Sequence, residues 1–301
     1  MRDQIWRRAP VTVVLLIIQI VAFIIMTLLG GSTNFSVLIE CGARVTSLIH
    51  EGQWWRLITP VFLHIGIAHL IINSITLYFL GMYIEELFSH WRMLVIYLVS
   101  AFTGNLASAY FLPNTISASA STALFGLFGA FLMLGESFHD NELIQDLSRQ
   151  FLILVGINIV MDFFLPGVDL AGHIGGLLGG FLISYVVGAP FVGHVRLYKR
   201  MIGSLVLFFG IIAMIIAIGR LFKVTRPREY RTLYDVQQLL KEFNVYVYVG
   251  KRLYDIELIA IELDHLYQAG VVDNATYMKA KIVLRKEHRE EELREKNGTA
   301  I

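Results

Sequence analysis

Seven apolar stretches constrain this chain more than any other feature of its sequence. They cover approximately residues 11–29, 61–84, 92–112, 119–138, 150–166, 170–190 and 201–219. Most are long enough to cross a hydrocarbon layer of about 30 Å as a helix rising about 1.5 Å per residue. In lipid the backbone has no water to bond, and a helix satisfies its own amides within one segment. Composition agrees: 56% of the 301 residues are hydrophobic and 16% are charged, against about 25% charged in a soluble domain. The expected fold class is all-α, a polytopic membrane helix bundle with a small helical C-terminal tail. Short connections favour antiparallel neighbours.

Orientation follows from charge. Arg2, Arg7 and Arg8 precede the first apolar stretch and predict a cytoplasmic N-terminus in the cell membrane. That stretch is longer than a signal-peptide core and no small-residue cleavage site follows it, so it reads as a transmembrane helix. The segment after the sixth stretch carries His194, Arg196, Lys199 and Arg200, and the connections 113–118 and 167–169 carry no Lys or Arg. Both agree with that orientation. The single cysteine, Cys41, excludes an intrachain disulfide framework and a multi-cysteine metal site. A net charge of +1 gives no electrostatic case for nucleic acid, and none is expected as a partner.

Given this topology, every even-numbered helix starts on the outer side. His69 and Asn73 lie early in the second stretch, Ser121 at the start of the fourth and His173 at the start of the sixth. A lone serine in lipid ordinarily bonds a backbone carbonyl or a neighbouring helix. Unrelated packing residues would scatter over both leaflets, whereas these share one depth. Serine with histidine is a nucleophile with its base. His69 and Asn73, at i and i+4, share a helical face and can both donate to one point, as an oxyanion requires. Ser121 at a helix N-terminus adds the positive end of the helix dipole. Gly172, Gly176 and Gly180 recur every fourth residue, as do Gly126 and Ala130, so the fourth and sixth helices can approach closely. Zinc on His64, His69 and His173 with Asp162 or Asp169 is disfavoured, because the ligand spacing is wrong and no His-Glu-x-x-His is present. No metal or other cofactor is expected. A transporter would show midplane charges or broken helices in symmetric halves, and neither is seen.

These residues resemble the rhomboid intramembrane serine proteases. The resemblance covers approximately residues 11–190. It rests on Trp55-Arg56, His64-x4-His69-x3-Asn73, Gly81-x3-Glu85, Ser121 before Ala123-Leu124-Phe125-Gly126-Leu127-Phe128-Gly129, and Ala171-Gly172-His173-x-Gly175-Gly176. It implies a six-helix catalytic core over 11–190, after a basic segment at 1–10 and before a basic loop and seventh transmembrane helix at 191–219. It further implies a dyad of Ser121 and His173 without an acidic third member. Oxyanion stabilisation would come from His69, Asn73 and the Ser121 backbone N–H, and structural support from Trp55, Arg56, Glu85, Gly126 and Gly176. The implied substrates are transmembrane helices of other proteins, met within the bilayer. One departure stands out. The family pattern is usually Gly-x-Ser-Gly, and here it is Ser119-Ala120-Ser121-Thr122. A side chain at 119 could narrow the oxyanion pocket, so the second reading is a catalytically impaired member that binds transmembrane clients.

The family register selects Ser121 over Ser119 as nucleophile. On a helix the two would point about 200° apart. His64 would lie about 140° round the helix from His69 and at most line the loop. His173 must be neutral to accept a proton, so activity should fall below a pH of about 6–7, or lower if burial depresses its pKa.

Residues 220–301 form a soluble helical tail. Leu258, Ile259, Glu262, Leu263 and Leu266 read as an amphipathic helix, Gly270 ends it, and Asp273-Asn274 can cap another near Ala275. The run from Arg285 to Lys296 is charged on every face and is expected to fray. A helical hairpin without chemistry is the plain reading, and partner docking is the functional alternative. After seven crossings parity puts the tail outside, against the pull of Arg220, Lys223, Arg226 and Arg228.

Overall fold

The computed structural model describes residues 8–165, 167–224, 230–243 and 245–296. Arg2, Arg7, Arg226 and Arg228, used above for orientation, lie outside the described residues. The helices are α1 (Pro10–Leu28), α2 (Phe35–Glu40), α3 (Thr46–His50), α4 (Ile67–Phe88), α5 (His90–Phe111), α6 (Ser121–Ser137), α7 (Glu142–Phe164), α8 (Leu170–Val187), α9 (Leu197–Val224), α10 (Leu233–Glu242), α11 (Arg252–Gln268) and α12 (Asn274–Lys296), with short 3-10 turns at Trp54–Leu57 and Thr59–Phe62. Six of them are long and apolar enough to cross a membrane, namely α1, α4, α5, α7, α8 and α9. The remaining apolar helix, α6, the fourth in chain order, has 17 residues and is the most enclosed. The chain is a multi-pass membrane protein with the expected helix-bundle fold.

Two boundaries differ from those expected. The fifth apolar helix, α7, starts at Glu142 rather than near residue 150, because Asn141 caps it by accepting from the Ile144 N–H at 3.2 Å. In its first turns Glu142, Gln145, Asp146 and Arg149 interrupt Leu143, Ile144 and Leu147, so no continuous apolar run marks them. The second, α4, starts at Ile67 after Gly66, whose φ of +80° ends the preceding irregular segment. His64 therefore lies outside that helix, and the 140° estimate does not apply to it.

At the centre, α6 meets α5 and α8 through main chain. A Cβ on Gly176 would strike the Thr122 carbonyl, one on Gly180 the Gly126 backbone, and one on Gly126 the Ser100 side chain. A Cβ on Gly104 of α5 would lie 2.7 Å from the Gly172 carbonyl. In lipid there is little hydrophobic gain from helix association, so close van der Waals contact must supply it, and small residues permit that contact.

Polar anchors fix the remaining elements. Glu85 is buried at the far end of α4 and accepts from the N–H groups of Val11 and Thr12, at 2.9 and 2.8 Å, and from the Thr12 hydroxyl at 2.7 Å. These are otherwise unpaired donors in the first turn of α1, and a carboxylate also suits that helix end. His90 Nδ1 lies 2.7 Å from the same carboxylate. Arg56 is buried and donates to the carbonyls of Ile39 and Ala43, both at 2.8 Å, holding the first connection in shape. Trp55 is 56% exposed.

The tail helices pack on that connection. Val37, Leu38, Val45 and Leu48 share a buried cluster with Ile259, Leu263 and Leu266. The tail thus lies on the same face of the bundle as the first connection. Ile259, Leu263 and Leu266 are buried as expected, while Leu258 is 38% exposed. Gly270, with φ of +71°, follows the end of α11, and the Asp273 carboxylate caps α12 by accepting from the Thr276 N–H at 3.0 Å. The expected fraying from Arg285 is not found. α12 continues to Lys296, where Arg252 pairs with Glu287 at 2.8 Å and with Glu291 at 3.3 Å.

Overpacking a core commonly costs about 1–3 kcal/mol, and at Gly176 the obstacle is a backbone carbonyl that cannot rotate away. Gly176→Ala is therefore expected to lower the thermal unfolding temperature in detergent by several degrees. An unchanged temperature would mean that α6 and α8 are not held at main-chain contact.

Candidate functional site

The close contact of α6 with α8 brings their N-terminal turns together. Ser121, the first residue of α6, places its Oγ 2.7 Å from His173 Nε2 in the first turn of α8. His173 Nδ1 lies 2.6 Å from Asp162 Oδ2, near the end of α7. The imidazole stacks on Phe125, one turn into α6, with centroids 4.2 Å apart and planes inclined by 10°. His173 and Asp162 are both largely shielded from solvent. A carboxylate accepting from Nδ1–H leaves the lone pair on Nε2, and the Ser121 hydroxyl donates to it. A hydroxyl held in this way can lose its proton as it attacks an electrophile. The resemblance implies a pair without an acid, whereas here a carboxylate stands third in line.

Opposite this chain, His69 and Asn73 project from the early turns of α4, and they converge as the i, i+4 spacing predicts. Their meeting point is the Ser119 hydroxyl. His69 Nε2 lies 2.9 Å from Ser119 Oγ, Asn73 Nδ2 donates to it at 3.2 Å, and the Ser121 backbone N–H donates to it at 3.0 Å. The Ser119 hydroxyl itself donates to Ser121 Oγ at 2.8 Å. The helical expectation of two hydroxyls about 200° apart fails because α6 begins at Ser121, leaving Ser119 in the irregular segment before it. His64 is buried behind this group, edge-on to His69 with ring centroids 5.5 Å apart.

Two residues given no structural role by the sequence reading hold the segment before α6 in place. Asp169 caps α8 by accepting from the Gly172 N–H at 2.8 Å and also accepts from the Ser117 hydroxyl at 3.0 Å and from Ser108. Arg44 is fully buried and donates to Leu112 O at 3.0 Å and to Thr115 Oγ1 at 2.6 Å. The Arg44 N–H donates to the Ser117 carbonyl at 2.8 Å, and the Ser117 N–H donates back at 3.2 Å. Burial pushes the Arg44 pKa down to about 10, with Asp169 opposing the shift, so the guanidinium stays charged at neutral pH.

Ser119, Ser121, His69, Asn73, Asp162 and His173 all border one cavity of about 690 Å³, with α4 on one side and α7 on the other. A second cavity of about 670 Å³, between α5, α8 and α9, has a mainly apolar lining and contains none of these residues. Gly126 and Gly176 lie at the helix contact below the site, Arg56 and Glu85 lie in the framework, and Trp55 lies outside the cavity. Among the described residues no three His, Cys, Asp or Glu side chains are grouped so as to hold a metal ion.

Asp162 is the site residue that sequence reasoning missed. The available signal was its position, since it is an ionisable residue at the end of an apolar stretch, level with Ser121 and His173. A helix N-cap is worth roughly 1 kcal/mol, and Asp169 has two further partners. Asp169→Ala is expected to lower thermal stability and to speed amide exchange in residues 113–120, as read by hydrogen–deuterium exchange. Unchanged exchange there would mean that Asp169 only caps α8.

Comparison with known proteins gives two regions of similarity. Residues 51–190 match the family model described as the Rhomboid domain, and residues 230–290 match one described as YqgQ-like. The chain is 38% identical over 196 residues to Rhomboid protease GluP of Bacillus subtilis (strain 168), covering 65% of this chain and 38% of that protein. It is 39% identical over 164 residues to RHOMBOID-like protein 7 of Arabidopsis thaliana, covering 53% and 51% respectively. Putative rhomboid protease YdcA of Bacillus subtilis (strain 168) is 35% identical over 140 residues, which are 46% of this chain and 69% of that protein. The chain thus spans about two fifths and one half of the length of the first two relatives.

Proposed function

The chain belongs to the rhomboid family, and on that premise we propose that it is an intramembrane serine endopeptidase that cuts transmembrane helices of other proteins near their outer ends. The observation that carries this reading is the continuous hydrogen-bonded chain from Asp162 through His173 to Ser121, opening on a cavity whose opposite wall presents His69 and Asn73.

In this reading Ser121 Oγ attacks the scissile carbonyl carbon while its proton passes to His173 Nε2. The resulting oxyanion accepts from His69, Asn73 and the Ser121 N–H. Collapse breaks the C–N bond, and His173 returns the proton to the leaving amine. Water then attacks the acyl-enzyme, again giving its proton to His173, and as the acyl C–O bond breaks His173 returns that proton to Ser121 Oγ and the new carboxylic acid leaves. Asp162 accepts from Nδ1–H throughout and stabilises the imidazolium without taking its proton. Substrate helices must unwind locally, because a hydrogen-bonded helix hides its carbonyls, so small or helix-breaking residues near the cut are favoured. Water enters from the outer side. The N-terminus is cytoplasmic, and the tail is extracytoplasmic, where it is placed to dock partners. A second reading, binding of transmembrane clients without cleavage, is favoured by one observation: the Ser119 oxygen lies among the donors an oxyanion would need.

Incubation with a panel of single-span substrates tests the reading. The wild type should give a mapped cut that Ser121→Ala does not, and equal cutting by Ser121→Ala would overturn it. Asn73→Ala and His69→Ala should each lower the rate by about 10²–10³. In Asp162→Asn the amide can donate to Nδ1, moving the imidazole proton to Nε2. A fall in kcat of about 10²–10⁴ with little change in KM is expected. Wild-type kcat in that variant would reduce Asp162 to a packing residue.

A further inference from the structure

Ser119 stands where the family usually has glycine, and its hydroxyl lies at the point where the oxyanion donors converge. Building on the hydrolase reading above, we propose that the Ser119 hydroxyl is a built-in occupant of the oxyanion hole, which a substrate carbonyl must displace before Ser121 can attack.

The geometry makes the hydroxyl a stand-in for the substrate oxygen. Its Oγ takes the Ser121 N–H at 3.0 Å and Asn73 Nδ2 at 3.2 Å, and lies 2.9 Å from His69 Nε2. Because its own proton goes to Ser121 Oγ, at 2.8 Å, His69 meets it as a donor. Three donors on one neutral oxygen exceed the two lone pairs that a hydroxyl offers. An oxyanion has the extra lone pair and the charge that such a cage suits. The hydroxyl is therefore a weaker ligand than the transition state, and it keeps the donors aligned meanwhile.

Ser119 obstructs the reaction in a second way. Its donated hydrogen bond engages one of the two lone pairs of Ser121 Oγ and draws electron density from the oxygen that must attack the carbonyl. Ala118 and Ala120 on either side are buried, and the segment is tied to Arg44 through Ser117. The backbone is thus held, and the side chain can leave by rotation about χ1 between staggered positions. One rotation frees both the hole and the nucleophile. The cage need not be empty for the protein to be a hydrolase, and the filled cage does not by itself make it a mere binder.

The test is the rate of labelling by a fluorophosphonate probe on the full chain in detergent, comparing wild type, Ser119→Ala, Ser119→Gly and Ser121→Ala. The probe's phosphoryl oxygen must enter the hole as Ser121 Oγ bonds to phosphorus, fluoride departs and the serine proton passes to His173. Removing a hydroxyl with two or three net hydrogen bonds should speed Ser121 labelling by about tenfold in both Ser119 variants. Labelling of the Ser119 variants where the wild type gives none would support the proposal equally. A folded Ala variant that labels at the wild-type rate or slower would overturn it. Should the Ala variant not fold, the Gly variant decides by the same criterion. Labelling that survives in Ser121→Ala, or labelling of none of the four proteins, removes the hydrolase reading itself. Ser121-dependent labelling at one rate in all Ser119 forms removes this inference alone.

Discussion

Main-chain contact between α6 and α8 is the constraint on which the rest depends. Inside a membrane, side chains lose little by facing lipid, so two helices are held by how closely their atoms fit. Gly176 and Gly180 let α8 approach the carbonyls of Thr122 and Gly126. With that spacing fixed, the first residue of one helix and the first turn of the other are neighbours, and the 2.7 Å bond from Ser121 to His173 follows. The site is thus a consequence of packing one to two turns away from it.

Three carboxylates illustrate how surroundings assign work. Glu85, Asp169 and Asp162 are all removed from bulk water to differing extents. Glu85 meets orphan N–H groups of α1 and becomes a cap. Asp169 meets the start of α8 and two serine hydroxyls, and becomes a clasp between segments. Asp162 meets an imidazole whose other nitrogen faces a hydroxyl. Each satisfies acceptor capacity that would otherwise be costly in a medium without water. Only the third lies in line with a group able to do chemistry.

Much of the fold was legible because lipid forces each crossing to be a self-contained helix, so apolar length alone marks it. Polar ends escaped that signal: Glu142 to Arg149 begin α7 but resemble a loop, and Gly66 stops α4 from reaching His64. Within the candidate site, the convergence of Ser121, His173, His69 and Asn73 on one cavity was legible through their shared depth and the i, i+4 spacing. The bond from Asp162 to His173 was not, because it depends on how the end of α7 lies beside the start of α8, which no local pattern encodes. The angle of about 200° between Ser119 and Ser121 does not hold, for a local reason, since the helix begins only at Ser121.

The glycine contacts also set which sequence changes this bundle can absorb. At these positions variation runs one way, since every replacement adds atoms and no smaller residue exists. Repair must then come from across the interface, and the partners differ. Gly126 faces chiefly the side chain of Ser100, which a second change could trim to glycine, leaving the Gly176 carbonyl at 3.0 Å from an added Cβ as a tight but lesser contact. Gly176 and Gly180 face main-chain atoms of Thr122 and Gly126, which no substitution can shorten. Gains of bulk at Gly126 therefore have a second-site suppressor within reach, and gains at Gly176 or Gly180 have none at their point of contact.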